Sequence, residues 1–305
     1  MITDEDRPSC EECGGTWVIG NGSKWQCKLC GKQWSKVKYS DTLAELRNYD
    51  LSRYTDHPKL YGDWLLIGDS HIPFHCPQTA THAIQMAQKW GIKSVISVGD
   101  TFELDAFKKY LDHHPEVNWK YEKIAGIKFL NVLLENFENI VLLIGNHELR
   151  LWKRLEASND QDDVFQFFVK DNRIEYSTYP FAVINDSWLV VHPKSYSRIQ
   201  GRNPYFLASK HCIELLEDGK SPNGQYGLIA YHGHLGGEGT DISSRFRVAD
   251  GMGLFDPNLF AYYKLKISTG PAWRKGFHII RNNYLYPFPE TMTDWNWWLN
   301  EEDYA

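Results

Sequence analysis

The chain has 305 residues, 42% of them hydrophobic and 14% aromatic, and a formal net charge of −6. That length and apolar content can bury a substantial core, which excludes a disordered chain and points to one large domain plus a small module. No apolar run approaches the roughly 20 residues needed to cross a bilayer, the N-terminus MITDEDRPSC is too acidic for a signal peptide, and the negative balance argues against non-specific coating of nucleic acid. A cytoplasmic protein without a membrane partner is expected, its oligomeric state left open.

Residues 1–40 carry two close cysteine pairs, Cys10/Cys13 and Cys27/Cys30, separated by thirteen residues, and little aliphatic periodicity. Such a segment cannot fold by burial alone, and CxxC pairs at this spacing are metal sites, not a disulfide framework. Four thiolates around one tetrahedral structural Zn²⁺ would supply the missing folding energy. Between Lys24 and Lys38 stand five lysines, no acidic residue, and the interleaved Trp25 and Trp34. That combination suits a nucleic-acid surface; the alternative is a solvated lysine face with the tryptophans packing a tiny core.

Residues 41–60 read as a linker with a short amphipathic helix ending near His57-Pro58. From residue 61 to about 290, the apolar runs Trp64–Ile67, Ser94–Val98 and Ile140–Ile144 alternate with helical patterns over Thr79–Trp90 and Val117–Asn136, the signature of a βαβαβ unit with a parallel sheet. The second half is richer in strands, with candidates at Phe181–Ile184, Ser187–Val191, Gly227–Tyr231, Phe260–Ile267 and Phe277–Ile280, and a helix over Tyr205–Glu217. The tail 291–305 contains Trp295, Trp297 and Trp298, which should dock on this chain's core or on another subunit.

Polar groups follow the strands: Gly68-Asp69-Ser70-His71, Gly99-Asp100, Gly145-Asn146-His147-Glu148, then His192 and His232-Gly233-His234. In an open α/β sheet such groups gather beyond the carboxyl ends of the strands. Imidazole, carboxylate and amide oxygen together suit borderline divalent ions, and one carboxylate can bridge two of them.

The order DxH, GD, GNHE, H, HxH over Asp69–His234 resembles the calcineurin-like metallophosphoesterase superfamily. The resemblance implies an α/β fold, specifically a four-layer αββα sandwich, preceded here by the zinc ribbon. It also implies that Asp69, His71 and His234 hold one divalent ion, that Asn146, His192 and His232 hold a second, and that Asp100 bridges them. Manganese is the first choice, with iron, zinc or nickel as alternatives. His147 would contact phosphate and protonate the leaving oxygen, with a metal-activated water as nucleophile. Two positions depart from the pattern. Tyr231 stands where the family has Gly, which puts the approach of substrate in question, and Gly99-Asp100-Thr101-Phe102 lacks the GDxVDRG continuation of the protein phosphatases, with its phosphate-gripping arginine.

The second cysteine knuckle, Cys27-Lys-Leu-Cys30-Gly-Lys-Gln-Trp34, is similar to zinc ribbons of transposases and other DNA-associated proteins. A further basic stretch after His192 carries Lys194, Arg198 and Arg202 as candidate substrate-binding residues. Together these features give the expectation of a two-metal phosphodiesterase or nuclease with nucleic acid as partner. The alternatives are a phosphomonoesterase or nucleotide hydrolase, and a catalytically silent DNA-binding adaptor.

Overall fold

The chain divides into two units, Met1–Asp56 and His57–Ala305. The computed structural model describes residues 9–10, 12–21, 24–35, 57–107, 118–154, 168–193, 226–241, 244–259 and 273–300. The linker helix before residue 57, the helix over 205–217, the strand over 260–267, and Lys194, Arg198 and Arg202 lie outside the described residues.

In the first unit, β1 (Val18–Asn21), β2 (Lys24–Cys27) and β3 (Gln33–Ser35) form an antiparallel sheet in the order β1-β2-β3. Trp25 and Trp34 are direct cross-strand partners and pack against Cys10, Val18 and Cys27, so they belong to the small core. The two knuckles repeat one hydrogen-bond pattern. The Gly14 N–H donates to the Cys10 carbonyl and the Gly31 N–H to the Cys27 carbonyl, each glycine sitting at positive φ.

The second unit is α/β with mixed sheets. β4 (Lys59–Leu60) pairs in parallel with β9 (Phe181–Ile184), so the two residues at the end of the expected linker enter a sheet. Pro58 explains why the chain is not helical there: it lacks an N–H to donate and disfavours a helical residue before it, while its carbonyl accepts from Val183. β5 (Trp64–Ile67), α1 (Pro77–Lys89), β6 (Ser94–Val98), α2 (Trp119–Asn136), β7 (Asn139–Leu143), α3 (Glu148–Arg154) and β8 (Ile174–Ser177) follow, with β5, β6, β7 and β8 mutually parallel. The chain continues through β10 (Trp188–Val191), β11 (Gly227–Ala230), β12 (Glu238–Thr240), β13 (Arg247–Asp250), β14 (Gly276–Arg281), β15 (Tyr284–Pro289) and α4 (Trp295–Asn300). One sheet runs β12-β13-β11-β10-β9-β4, the other β15-β14-β5-β6-β7-β8. Pro287 and Pro289 are tolerated in β15 because, among the described residues, it is an edge strand with no ladder on its outer side.

Alternate residues of each strand face opposite sides, and this sorts the core into layers. Leu66, Ile96, Val98, Val141 and Leu143 of one sheet meet Ala182, Ile184, Trp188, Val190 and Ile229 of the other, so the sheets pack face to face. Leu65, Ile67, Val95, Ile140 and Leu142 point the other way, onto Ala83, Met86 and Ala87 of α1 and Phe129, Leu130 and Leu133 of α2. The tail docks on its own chain: Trp295 stacks on His82 with centroids 4.2 Å apart, Trp298 lies edge-on to Trp90 and Phe288, and Lys89 donates to the Trp298 carbonyl. No helix among the described residues is long and apolar enough to cross a membrane.

Candidate metal centre

The parallel strands β5, β6 and β7 end at the same edge of their sheet, and β10 and β11 end together in the other. The loops beyond them remain zipped. Asp69 N–H donates to the Gly99 carbonyl and His71 N–H to the Asp100 carbonyl, which sets the DxH segment alongside the GD segment. Asp69, His71, Asp100, His232 and His234 all have φ between 46° and 80°. A left-handed non-glycine backbone costs about 1 kcal/mol or more, and such strain persists where the surroundings over-determine it, typically at functional sites.

These loops bring three groups of side chains together: Asp69, His71 and His234; Asp100, His192 and His232; and His71, Asp100 and His147. His192 Nε2 lies 3.3 Å from Asp69 Oδ1 and 3.3 Å from Asp100 Oδ2, while His234 Nδ1 is 3.6 Å from Asp69 Oδ2. Asp69 and Asp100 are buried, and burial pushes both carboxyls up, but His234 and His192 hold Asp69 down at about 2, and His147 and His192 hold Asp100 well below the carboxylate range. Among the described residues no lysine or arginine pairs with either carboxylate, so their buried charge is balanced by the surrounding imidazoles or by a bound cation. Asn146 Oδ1 and His234 Nδ1 are buried without a hydrogen-bond partner among the described residues, and a lone-pair donor left so is costly unless a cation takes it. The donor set therefore fits divalent ions of the borderline class. All seven candidate ligands lie in loops at this edge; the three candidate substrate-binding residues lie outside the described residues.

Two acidic residues without an assigned role in the sequence analysis support the centre. Glu103 Oε2 accepts from His71 Nδ1 at 2.7 Å, which leaves His71 Nε2 as the lone-pair nitrogen, the arrangement that orients imidazole ligands. Glu148 receives the N–H groups of Asp100, Phe102 and Gly145 at 2.9–3.0 Å, tying the GD loop to the GN loop. Burial and the neighbouring Asp100 charge push its carboxyl up to about 7. A side chain at Gly145 would run into Asp100 and Glu148, so the GN turn can approach the carboxylates only as glycine. Glu148 is visible in the sequence as the last letter of GNHE. Glu103 carries no such signal, being three residues beyond Asp100 in no repeated pattern.

His147 is buried, its Nδ1 2.9 Å from the Glu103 carbonyl oxygen and its Nε2 2.7 Å from Arg150 Nη2 and 3.6 Å from Asp100 Oδ2. A carbonyl only accepts and a guanidinium only donates, so this imidazole is neutral with its proton on Nδ1. Burial pushes it down, against the pull of Asp100 and Glu103. Tyr231, the departure next to His232, does not line the site: its ring sits in the core between the sheets over Gly68 and Gly251, and its hydroxyl donates to the Leu66 carbonyl at 3.2 Å.

The ribbon holds a separate candidate site. Cys10, Cys13, Cys27 and Cys30 converge, with Cys10 Sγ 3.6 Å from Cys30 Sγ and Cys13 Sγ 3.6 Å from Cys27 Sγ. Tetrahedral zinc with bonds of about 2.3 Å would set sulfurs about 3.8 Å apart. The Cys30 and Leu29 N–H groups aimed at Cys27 pull its thiol down to about 7. Cys13, although it receives the Gly15 N–H, is pushed up to about 12 by the surrounding sulfurs, so four thiolates here need a cation among them. The cluster could hold a structural metal.

In comparisons with known proteins, the chain matches no family model and no curated protein.

Proposed function

We propose that the chain is a metal-dependent phosphoester hydrolase of calcineurin-like type, a four-layer αββα sandwich acting by preference on nucleic-acid phosphodiesters. The observation that carries this reading is Asp100: its buried carboxylate groups with His192 and His232, proposed for one ion, and also with His71, proposed for the other, the position that a ligand shared by two ions would take. Asp69, His71 and His234 would hold one ion and Asn146, His192 and His232 the other. When bound, such ions acidify water and neutralise charge developing on phosphoryl oxygens. Glu103 holds His71 in the ligating tautomer, and Glu148 ties the backbone of Asp100 to that of Gly145, the residue before Asn146. His147 would face the leaving oxygen, and proton delivery from Nε2 requires its charged form, which burial opposes and the Asp100 and Glu103 charges favour. The preference for nucleic acid rests on the ribbon, where Lys24, Lys28 and Lys32 accompany Trp17, which is 63% exposed.

The test is turnover of a generic phosphodiester and a generic phosphomonoester, side by side, with and without added Mn²⁺. Diester hydrolysis that depends on the metal supports the proposal, faster monoester hydrolysis reassigns the substrate class, and no turnover of either favours a scaffold that binds without reacting.

A further inference from the structure

The GD segment lacks the phosphate-gripping arginine of the protein phosphatases, yet a guanidinium reaches the site from another element. Arg150 lies in the first turn of α3, where a cation opposes the helix dipole, so local helix stability does not favour it there. Its Nη2 is 2.7 Å from His147 Nε2, and its Nη1 donates to the Glu103 carbonyl at 2.9 Å, with Asp105 Oδ1 at 3.7 Å and Glu103 Oε1 at 3.8 Å. The ring nitrogen it meets also faces Asp100 Oδ2 at 3.6 Å, so the guanidinium stands one imidazole away from the shared carboxylate. Its side chain is 24% exposed while His147, Glu103 and Asp100 are buried, which makes it a cation at the opening of a buried anionic cluster.

We propose that Arg150 is the phosphate clamp of this site, turning from His147 Nε2 to pair with a non-bridging phosphoryl oxygen of the bound ester. The inference rests on the phosphoester reading above. A guanidinium satisfied by a neutral imidazole nitrogen exchanges a weak acceptor for a charged, bidentate one when phosphate enters. The same movement uncovers His147 Nε2 toward the leaving oxygen. Glu103 and Asp105 keep the arginine's stem aligned through the exchange.

The experiment uses the full chain loaded with Mn²⁺ and inorganic phosphate as probe, titrated by calorimetry, with metal content measured on the same samples. Arg150→Ala should retain its metal and lose phosphate affinity by about 10- to 100-fold, the range for a charge-assisted pair. Arg150→Lys should fall between, and free guanidinium should restore part of the affinity to Arg150→Ala and none to the wild type. In turnover, the loss should appear in KM for the ester as well as in kcat. Unchanged phosphate affinity in Arg150→Ala overturns the clamp while leaving the hydrolase reading intact. Loss of metal in both variants also overturns it, because Arg150 would then be a prop for Glu103. A metal-loaded wild type that neither binds phosphate nor cleaves esters overturns both proposals together.

Discussion

Asp100 concentrates the demands placed on single residues. It sits at φ 47°, its Oδ1 accepts the His147 N–H at 2.8 Å, and its Oδ2 faces His192. Asp100→Asn keeps the shape and removes the charge that both proposed ions share. Bound metal should fall in elemental analysis and turnover drop at least about 100-fold, with the far-ultraviolet spectrum unchanged; wild-type metal content would remove Asp100 from the centre. His278 offers a test independent of metals. Tyr231 donates to the Leu66 carbonyl, so His278 Nδ1 donates to the Tyr231 hydroxyl, and Nε2 is buried with no partner among the described residues. Protonating that nitrogen would bury an unpaired charge, and burial pushes the imidazole down to about 3. Below the ordinary value near 6.5, the unfolded chain takes up a proton that the folded chain refuses. Stability is therefore lost as pH falls from about 6.5 toward 3, by up to about 1.4 kcal/mol per pH unit from this residue. Urea unfolding of His278→Gln in chelator should show a shallower loss over that window, and an identical slope would assign the acid sensitivity elsewhere.

Among the elements, the cysteine knuckles and the sheet edges show how short segments are made reliable. β1, β2 and β3 have only four, four and three residues, and their core consists of Cys10, Val18 and Cys27 with Trp25 and Trp34 against it. So little apolar surface cannot offset chain entropy without a cross-link. Cys27→Ser should abolish one zinc per chain and quench the tryptophan near-ultraviolet signal of the ribbon, while the unit from His57 onward unfolds at its usual midpoint. Retention of that zinc would show that three thiolates suffice. The helical elements are legible as 3.6-residue periodicity, and their observed starts shift by two residues from the pattern while their ends match within one, because local residues at the N-terminus set the start: Pro77 opens α1. Asn118, for example, caps α2 by accepting from the Tyr121 N–H.

Over the whole molecule, two units carry separable properties, since every proposed ligand begins at Asp69 and every paired cysteine precedes residue 31. Deleting residues 1–40 should leave turnover of a small chromogenic diester within about twofold. Affinity for single-stranded DNA should weaken, and the slope of log affinity against log salt should become shallower by roughly 0.7 for each phosphate that the shortened chain no longer neutralises. Unchanged affinity and slope would assign the ribbon's Lys24, Lys28 and exposed Trp17 to some other partner.

By itself the sequence determined the elements that repeat a local rule: the thiolate quartet from CxxC spacing, the parallel β5-β6-β7 strands from apolar runs, and the polar residues that follow them. It left open whether Trp25 and Trp34 form a binding face or a core, and whether the tryptophan tail docks on its own chain. The packing of both on Cys10, Val18 and Cys27 decided the first and the meeting of Trp295 with His82 the second. Tertiary structure alone revealed Glu103, Arg150, the buried position of Tyr231, and the pairing of β4 with a strand more than a hundred residues away. The reason is physical: periodicity and motif spacing record what neighbours along the chain do, whereas a carboxylate that steadies a distant imidazole is specified only by where two loops meet.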